Sequence, residues 1–182
     1  MRSPLIAGML SAGVDDPSVE FVSAGTVASV GEPVPKEALE IADRYGIDVS
    51  EHRSQPLTAE LVAEAQLVLV ATRAHRADVA RLEPIASRRT FTLREFARLL
   101  RTVDSETLDA LPESYPERGV ELVRAVAARR GSVPPLKRES DDDLDDPFLR
   151  PASVYNRVSS EIDEAVGTLV LMMVATDDAR AE

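Results

Sequence analysis

Apolar residues recur along most of the chain at two spacings, one typical of helices and one typical of buried strands. Stretches with an apolar residue at every third or fourth position predict helices with one buried face. The longest is 153–174, with the stripe Val154, Val158, Ile162, Val166, Leu169 and Met173. By contrast, 67–71 is an unbroken apolar run, which is typical of a parallel strand buried on both faces.

Helical and strand patterns alternate along the sequence. We predict helices at the start of the chain and at 38–45, 58–65, 72–82, 96–103, 120–130 and 153–174. We predict strands at 19–24, 67–71 and 90–93. Thr58 and Thr72 are expected to cap their helices, and Gly46 to end one in the left-handed conformation. This alternation predicts an α/β fold, a doubly wound parallel sheet flanked by helices.

The first helix carries a candidate anion site at its N-terminal end. Ser3 is a good N-cap and Pro4 suits the first helical position, where its missing N–H costs nothing. Arg2 then lies where free backbone N–H groups and the helix dipole favour an anion, and a guanidinium can bind two phosphate oxygens. The alternative is a plain helix start with a solvent-exposed arginine.

Two polar stretches are predicted to be loops. Residues 104–119 contain Pro112 and Pro116, and we expect no helix there. Residues 137–146 are dense in charge, with five aspartates after Ser140. A run of like charges is usually a solvated loop.

Composition narrows the possible functions. The 182 residues, 44% of them hydrophobic, are enough for a single globular domain spanning 1–182. A net charge of −11 disfavours nucleic acid as a partner, and the longest apolar run is too short to cross a membrane. With no cysteine and two histidines, we expect neither disulfides nor a metal site. We expect a cytoplasmic protein.

Five stretches of the sequence together resemble the low-molecular-weight protein tyrosine phosphatases. They occur in the family's order, at 2–4, 23–26, 46–54, 67–73 and 145–148. In that family the phosphate loop reads Cys, five residues, Arg-Ser, usually followed by Pro. The resemblance covers most of the chain apart from an expansion around 104–140.

This resemblance implies a fold and an activity. The fold is a four-stranded parallel sheet whose first strand lies between the second and third. The activity is phosphotyrosine hydrolysis through a phosphocysteine, with no cofactor, on a tyrosine-phosphorylated protein or a small phosphomonoester. By the same resemblance Asp146 is the general acid, and Arg2 and Ser3 bind phosphate. The supporting residues are His52, Asp145 and Phe148.

One departure from the family pattern concerns the nucleophile. The family's cysteine would lie six positions before Arg2, and the sequence contains no cysteine. We therefore expect a polypeptide that is truncated at its N-terminus, lacks the first strand and most of the phosphate loop, and is inactive as written. The alternative is a noncatalytic phosphate-binding or interaction domain derived from the phosphatase fold.

Overall fold

A short parallel sheet forms the middle of the molecule. The computed structural model describes residues 2–26, 30–134 and 136–174. Within them, strand β1 (Val68–Val70) pairs in parallel with strand β2 (Thr90–Thr92). Val68 lies opposite Thr90, and Val70 lies opposite Thr92. The α/β class and the parallel sheet predicted from the pattern are confirmed.

Helices surround this sheet on the described part of the chain. They are α1 (Arg2–Val14), α2 (Lys36–Arg44), α3 (Ala59–Glu64), α4 (Arg73–Leu82), α5 (Leu93–Leu100), α6 (Ser105–Asp109), α7 (Tyr115–Ala128) and α8 (Ala152–Val174). Short 3-10 turns occupy Pro84–Arg89 and Glu139–Asp142. The predicted helix bounds are confirmed to within a few residues for α2, α3, α4 and α8.

Hydroxyl caps explain why several helices begin where they do. Thr58 and Thr72 each accept a hydrogen bond from the backbone N–H three residues later, as predicted. Thr92 does the same at α5, and Glu95 bonds back to its N–H, which completes a capping box. Because Thr92 also ends β2, the chain passes directly from strand to helix. Gly46 has a φ of 68°, the left-handed conformation expected after α2.

Helix α8 is the centre of the hydrophobic core. It packs against α1 and α5, and the middle of its apolar stripe is buried at Val158, Ile162, Val166 and Leu169. Inside the sheet layer, the rings of Phe91 and Phe96 meet edge to face with centroids 5.1 Å apart.

A glycine allows α1 to lie close to α8. A Cβ atom added to Gly13 would lie 2.6 Å from Cγ2 of Val170, nearer than carbon atoms can pack. Gly167 faces open space on the same helix as Val170, and nothing lies within 4 Å of its Cβ position. The close α1–α8 contact therefore requires glycine at position 13 but not at position 167.

The predicted strand at 19–24 is wrong. This segment has no regular secondary structure, and it forms no strand ladder in the part of the chain that the structure describes. A strand requires a neighbouring backbone, and this segment finds one only at its end, where Gly25 forms a parallel bridge with Pro56. The sheet consequently has two strands within the described residues, fewer than the four that the resemblance implies.

Other local predictions also need correction. Residues 104–119 are not all loop, because Asp104 caps α6 and Pro116 lies in the first turn of α7, where proline is tolerated. Helix α1 already includes Arg2, so Ser3 lies inside its first turn and is not its cap. Strand β1 is half-buried at Val68 and Leu69 instead of being buried on both faces.

No helix among the described residues is long and apolar enough to cross a membrane.

We predict that Gly13→Ala destabilises the protein although alanine is the better helix former. Overpacking costs about 1–3 kcal/mol, and the gain in helix propensity recovers only about 1 kcal/mol. The matched variant Gly167→Ala should stabilise by about 0.5–1 kcal/mol, because its methyl group meets no atom. Urea unfolding measures both free energies. Equal effects of the two substitutions would contradict the close α1–α8 contact.

Candidate functional site

The start of α1 and the acidic segment meet at Arg2. The Nη1 group of Arg2 donates a hydrogen bond of 2.7 Å to the carbonyl oxygen of Leu144. Its Nη2 atom lies 3.7 Å from Oδ2 of Asp146. The guanidinium side chain is only 13% exposed, whereas that of Asp146 is 61% exposed. An almost buried cation and an accessible carboxylate, from opposite ends of the sequence, therefore lie next to each other.

Ser3 follows Arg2 in α1 and contacts the irregular segment before Gly25. The hydroxyl of Ser23 is 3.2 Å from that of Ser3 and donates to it. The side-chain amide of Gln55 donates to the carbonyl oxygen of Ser23 at 3.0 Å. Instead of capping α1, the Ser3 hydroxyl joins the helix to a neighbouring segment.

The acidic segment, defined here as residues 141–146, is fixed to the fold through Asp142. Both carboxylate oxygens of Asp142 accept hydrogen bonds from Arg98 of α5, at 3.1 and 2.6 Å. The Thr92 hydroxyl donates to the Asp142 carbonyl oxygen at 2.7 Å. Asp142 is nearly buried, so the expectation of a solvated loop is wrong here. The reason is that Arg98, on a helix distant in sequence, pairs with the Asp142 carboxylate.

The next two residues tie the acidic segment to the end of β1. The carboxylate of Asp143 accepts a 2.8 Å hydrogen bond from the backbone N–H of Arg73 at the start of α4. Leu144 donates its N–H to the carbonyl oxygen of Ala71 at 2.8 Å, and its side chain is 1% exposed. A buried leucine amid five aspartates thus anchors the segment in the core.

Asp145 and Asp146 differ in what they contact. Asp145 is paired with Arg157 of α8, which also binds Glu161 at 2.8 Å. Asp146 accepts a 3.3 Å hydrogen bond from the backbone N–H of Phe148. The Phe148 side chain is largely exposed. Of the two neighbouring carboxylates, Asp146 is the one directed towards Arg2.

His52 lies apart from this pair. It lines a cavity of about 230 Å³ together with Phe21, Ser23 and the side of α1 that runs from Pro4 to Ser11. Burial lowers the pKa of His52, and the positive charge of Arg53 adds to the effect. In the described chain its ring forms no hydrogen bond. His52 shares this cavity with Ser23, and Ser23 in turn contacts Ser3, so His52 is connected to the start of α1 only indirectly.

His75, which sequence reasoning missed, lies in the turn of α4 that contacts the acidic segment. Its Nδ1 atom is 2.9 Å from the hydroxyl of Thr72, in the first turn of α4. Burial lowers the pKa of His75, and the guanidinium of Arg2 lowers it further. The signal in the sequence is its position, because His75 follows β1 by five residues and the carboxyl ends of parallel strands are where ligands bind.

Within the described residues, no cluster of three or more histidine, aspartate or glutamate side chains could hold a metal ion.

Comparison with known proteins identifies the family of this chain. A family model described as low molecular weight phosphotyrosine protein phosphatase matches residues 1–130. The chain belongs to this family. Helix α1 with Arg2, the β1–α4 connection and all of α7 lie in the matched region, and the acidic segment lies beyond it.

Two curated relatives each align with about half of this chain. The "Probable low molecular weight protein-tyrosine-phosphatase EpsP" of Ralstonia nicotianae is 37% identical over 94 residues, which is 52% of this chain. The "Protein-arginine-phosphatase" of Geobacillus stearothermophilus is 35% identical over 95 residues, again 52% of this chain. The chain spans 63% of the length of each of these phosphatases.

The fold extends further than the sequence similarity. The solved structure of the YwlE arginine phosphatase from Geobacillus stearothermophilus aligns with 100% of this chain and 90% of its own. The TM-score is 0.66 at 24% identity, which shows a common phosphatase fold.

We predict that Asp142→Asn lowers the free energy of unfolding by about 1–3 kcal/mol, because it leaves the Arg98 guanidinium partly buried without its charged partner. Asp141→Asn is the matched control. Asp141 pairs with Arg138 one helical turn away, and the Arg138 side chain is 80% exposed, so this change should cost less than about 0.5 kcal/mol. Urea unfolding of both variants measures the difference. Equal losses would mean that the Asp142–Arg98 pair does not fix the acidic segment.

Proposed function

We propose that Arg2 and Asp146 form a pocket for the phosphoryl group of a phosphorylated protein or a small phosphomonoester. The observation that carries this proposal is the 3.7 Å approach between the guanidinium and the carboxylate, at the N-terminal end of a 13-residue helix. Arginine binds two phosphoryl oxygens, and the helix end adds free N–H groups and a favourable dipole.

The remaining residues are assigned roles around this pocket. Ser3 supports the phosphate-binding turn through its hydroxyl. Asp146 is the general acid that protonates the leaving group, and its exposure suits that task because the proton must come from solvent. Asp145 holds the segment through Arg157. Phe148 is exposed beside the acid and offers an aromatic surface to a substrate ring.

The family's reaction also requires a thiolate that attacks phosphorus and expels the protonated leaving group. The 182-residue sequence contains no cysteine. Ser3 cannot replace it, since no base among the described residues contacts its hydroxyl and it follows Arg2 instead of preceding it. We therefore propose that this polypeptide binds phosphoryl groups without hydrolysing them, and that hydrolysis needs a cysteine supplied from outside these residues.

The substrate class follows from the family. The relatives carry names for tyrosine phosphatases and for an arginine phosphatase, so a phosphorylated side chain of a protein is the proposed ligand, met in the cytoplasm. The net charge of −11 supports the exclusion of nucleic acid.

A second candidate is a noncatalytic interaction domain that recognises phosphorylated partners. The cysteine-free sequence favours it. Both candidates require an anion to bind at Arg2, and they differ in whether a longer polypeptide with a Cys-containing loop exists. The nucleotides upstream of the Met1 codon, translated in frame, distinguish them.

We predict that the purified chain binds inorganic phosphate and that Arg2→Ala weakens the binding at least about tenfold, since a charge-assisted hydrogen bond contributes about 1.5–3 kcal/mol. The phosphate affinity of Arg2→Lys should lie between those of the unmodified chain and of Arg2→Ala, because lysine keeps the charge but loses the bidentate geometry. Isothermal titration calorimetry measures the affinities.

The matched control for Arg2 is Arg124→Ala, which removes an exposed arginine of α7 and should leave phosphate affinity unchanged. Circular dichroism checks that each variant is folded. Cysteine-independent turnover of p-nitrophenyl phosphate by the purified chain would overturn the proposed absence of hydrolysis. Equal phosphate affinities of the Arg2→Ala and Arg124→Ala variants would overturn the pocket.

We predict that Asp146→Asn strengthens phosphate binding several-fold. The substitution removes a carboxylate that repels the phosphate dianion and competes with it for Arg2; at 4–6 Å near a surface this interaction is on the order of 1 kcal/mol or more. Asp145→Asn is the control, because Arg157 already neutralises that carboxylate. A comparable gain in both variants would mean that Asp146 does not face the pocket. The same titration measures both.

A further inference from the structure

His75 is a titratable side chain close to the acidic segment that the proposed reaction does not use. Its backbone lies in the first turn of α4, directly after β1. The backbone N–H of Arg73, two residues earlier, donates to Asp143, which places this turn against the acidic segment. The turn therefore faces the segment that carries Asp146.

The His75 ring is held in one orientation by its own helix cap. Its Nδ1 atom and the Thr72 hydroxyl are 2.9 Å apart, and the same hydroxyl accepts the His75 backbone N–H at 3.3 Å. Nε2 forms no hydrogen bond with any residue that the structure describes. One ring nitrogen is thus fixed, and the other is free to bind a ligand or a proton.

The charges around His75 come from three elements. Arg2 of α1 acts on the imidazole as a cation, while Asp143 and Asp146 of the acidic segment and Asp78 of α4 act as anions. Arg73 and Arg76 flank it on its own helix, but both are engaged in ion pairs. In this arrangement burial and Arg2 outweigh the carboxylates, and the pKa of His75 is lowered.

We propose that His75 takes up a proton when a dianionic group binds beside Arg2, and that the resulting imidazolium is a second cation of the phosphoryl pocket. The inference rests on the proposed function, because it needs the anion at Arg2. The proton comes from solvent, and no bond to phosphorus is made. His75 acts as a binding and specificity residue, which favours dianions over monoanions.

The physical reason is mutual stabilisation. A dianion beside Arg2 offsets the guanidinium charge that disfavours the imidazolium, so the free energy of the protonated form of His75 falls. By linkage, the factor by which the anion raises the proton affinity of His75 equals the factor by which the proton raises the anion affinity. Anion affinity should therefore fall as the pH rises through the pKa that His75 has in the complex.

Sulfate is the probe for this experiment, because it stays dianionic where phosphate itself changes charge. Sulfate affinity is measured by calorimetry from about pH 5.5 to 8 with untagged protein. We expect it to fall about fivefold to tenfold across this range in the unmodified chain and in His52→Gln, and to stay flat in His75→Gln. Glutamine is a good helix former and keeps a polar side chain at that position.

A second readout does not depend on substituting His75. The chain has two histidines, so His52→Gln leaves His75 as the sole source of imidazole proton resonances. Its pKa, followed by NMR, should rise in saturating sulfate by the logarithm of the affinity ratio. Arg2→Ala combined with His52→Gln should remove this response.

The outcomes separate the two proposals. If sulfate does not bind, or binds equally well after Arg2→Ala, the proposed function and the role of His75 both fail. If sulfate binds through Arg2 but the pKa of His75 is the same with and without it, only the role of His75 is overturned. A pH dependence that persists in His75→Gln and disappears in His52→Gln would assign the proton to His52, and this result would also overturn the role of His75.

Discussion

The pairing of aspartates in the acidic segment with arginines from separate helices is the constraint on which the site depends. Arg2, Arg73, Arg98 and Arg157 belong to α1, α4, α5 and α8, and each contacts a carboxylate or carbonyl group of residues 141–146. A run of five aspartates could not otherwise lie against the body of a protein with a net charge of −11. These contacts bring the chain from beyond α7 back to the ends of α1 and β1.

The same pairing gives the neighbouring aspartates different chemical properties. Asp142 and Asp143 are committed to hydrogen bonds that fix the backbone, and Asp145 is held by Arg157. Asp146 keeps an accessible carboxylate 3.7 Å from Arg2. A general acid needs this combination, since its backbone must be fixed while its carboxyl group exchanges protons with solvent.

Sequence patterns predicted the features that are encoded locally. The stripe of α8 and the cap at Thr72 require only neighbours along the chain, and both are confirmed. The strand at 19–24 was predicted wrongly because its formation depends on a partner backbone far away in sequence. The acidic run was likewise read as solvated, since the partners that bury Asp142 lie on distant helices. The approach of Arg2 to Asp146 followed from family resemblance, which carries long-range information that composition and periodicity lack.

The position of Arg2 is therefore a property of helix packing more than of the sheet. Strands β1 and β2 are three residues each, and α1 makes its main contacts with α8, where Gly13 lets the two backbones approach. That packing sets the direction of α1, and the hydrogen bond from Arg2 to Leu144 then fixes the guanidinium at the helix end. Because the Leu144 side chain is itself buried in the hydrophobic core, the residue that accepts this hydrogen bond is held firmly in place. The acceptor in this hydrogen bond is a neutral carbonyl group, so the proposed roles of Asp146 and His75 do not require either side chain to hold Arg2 in place.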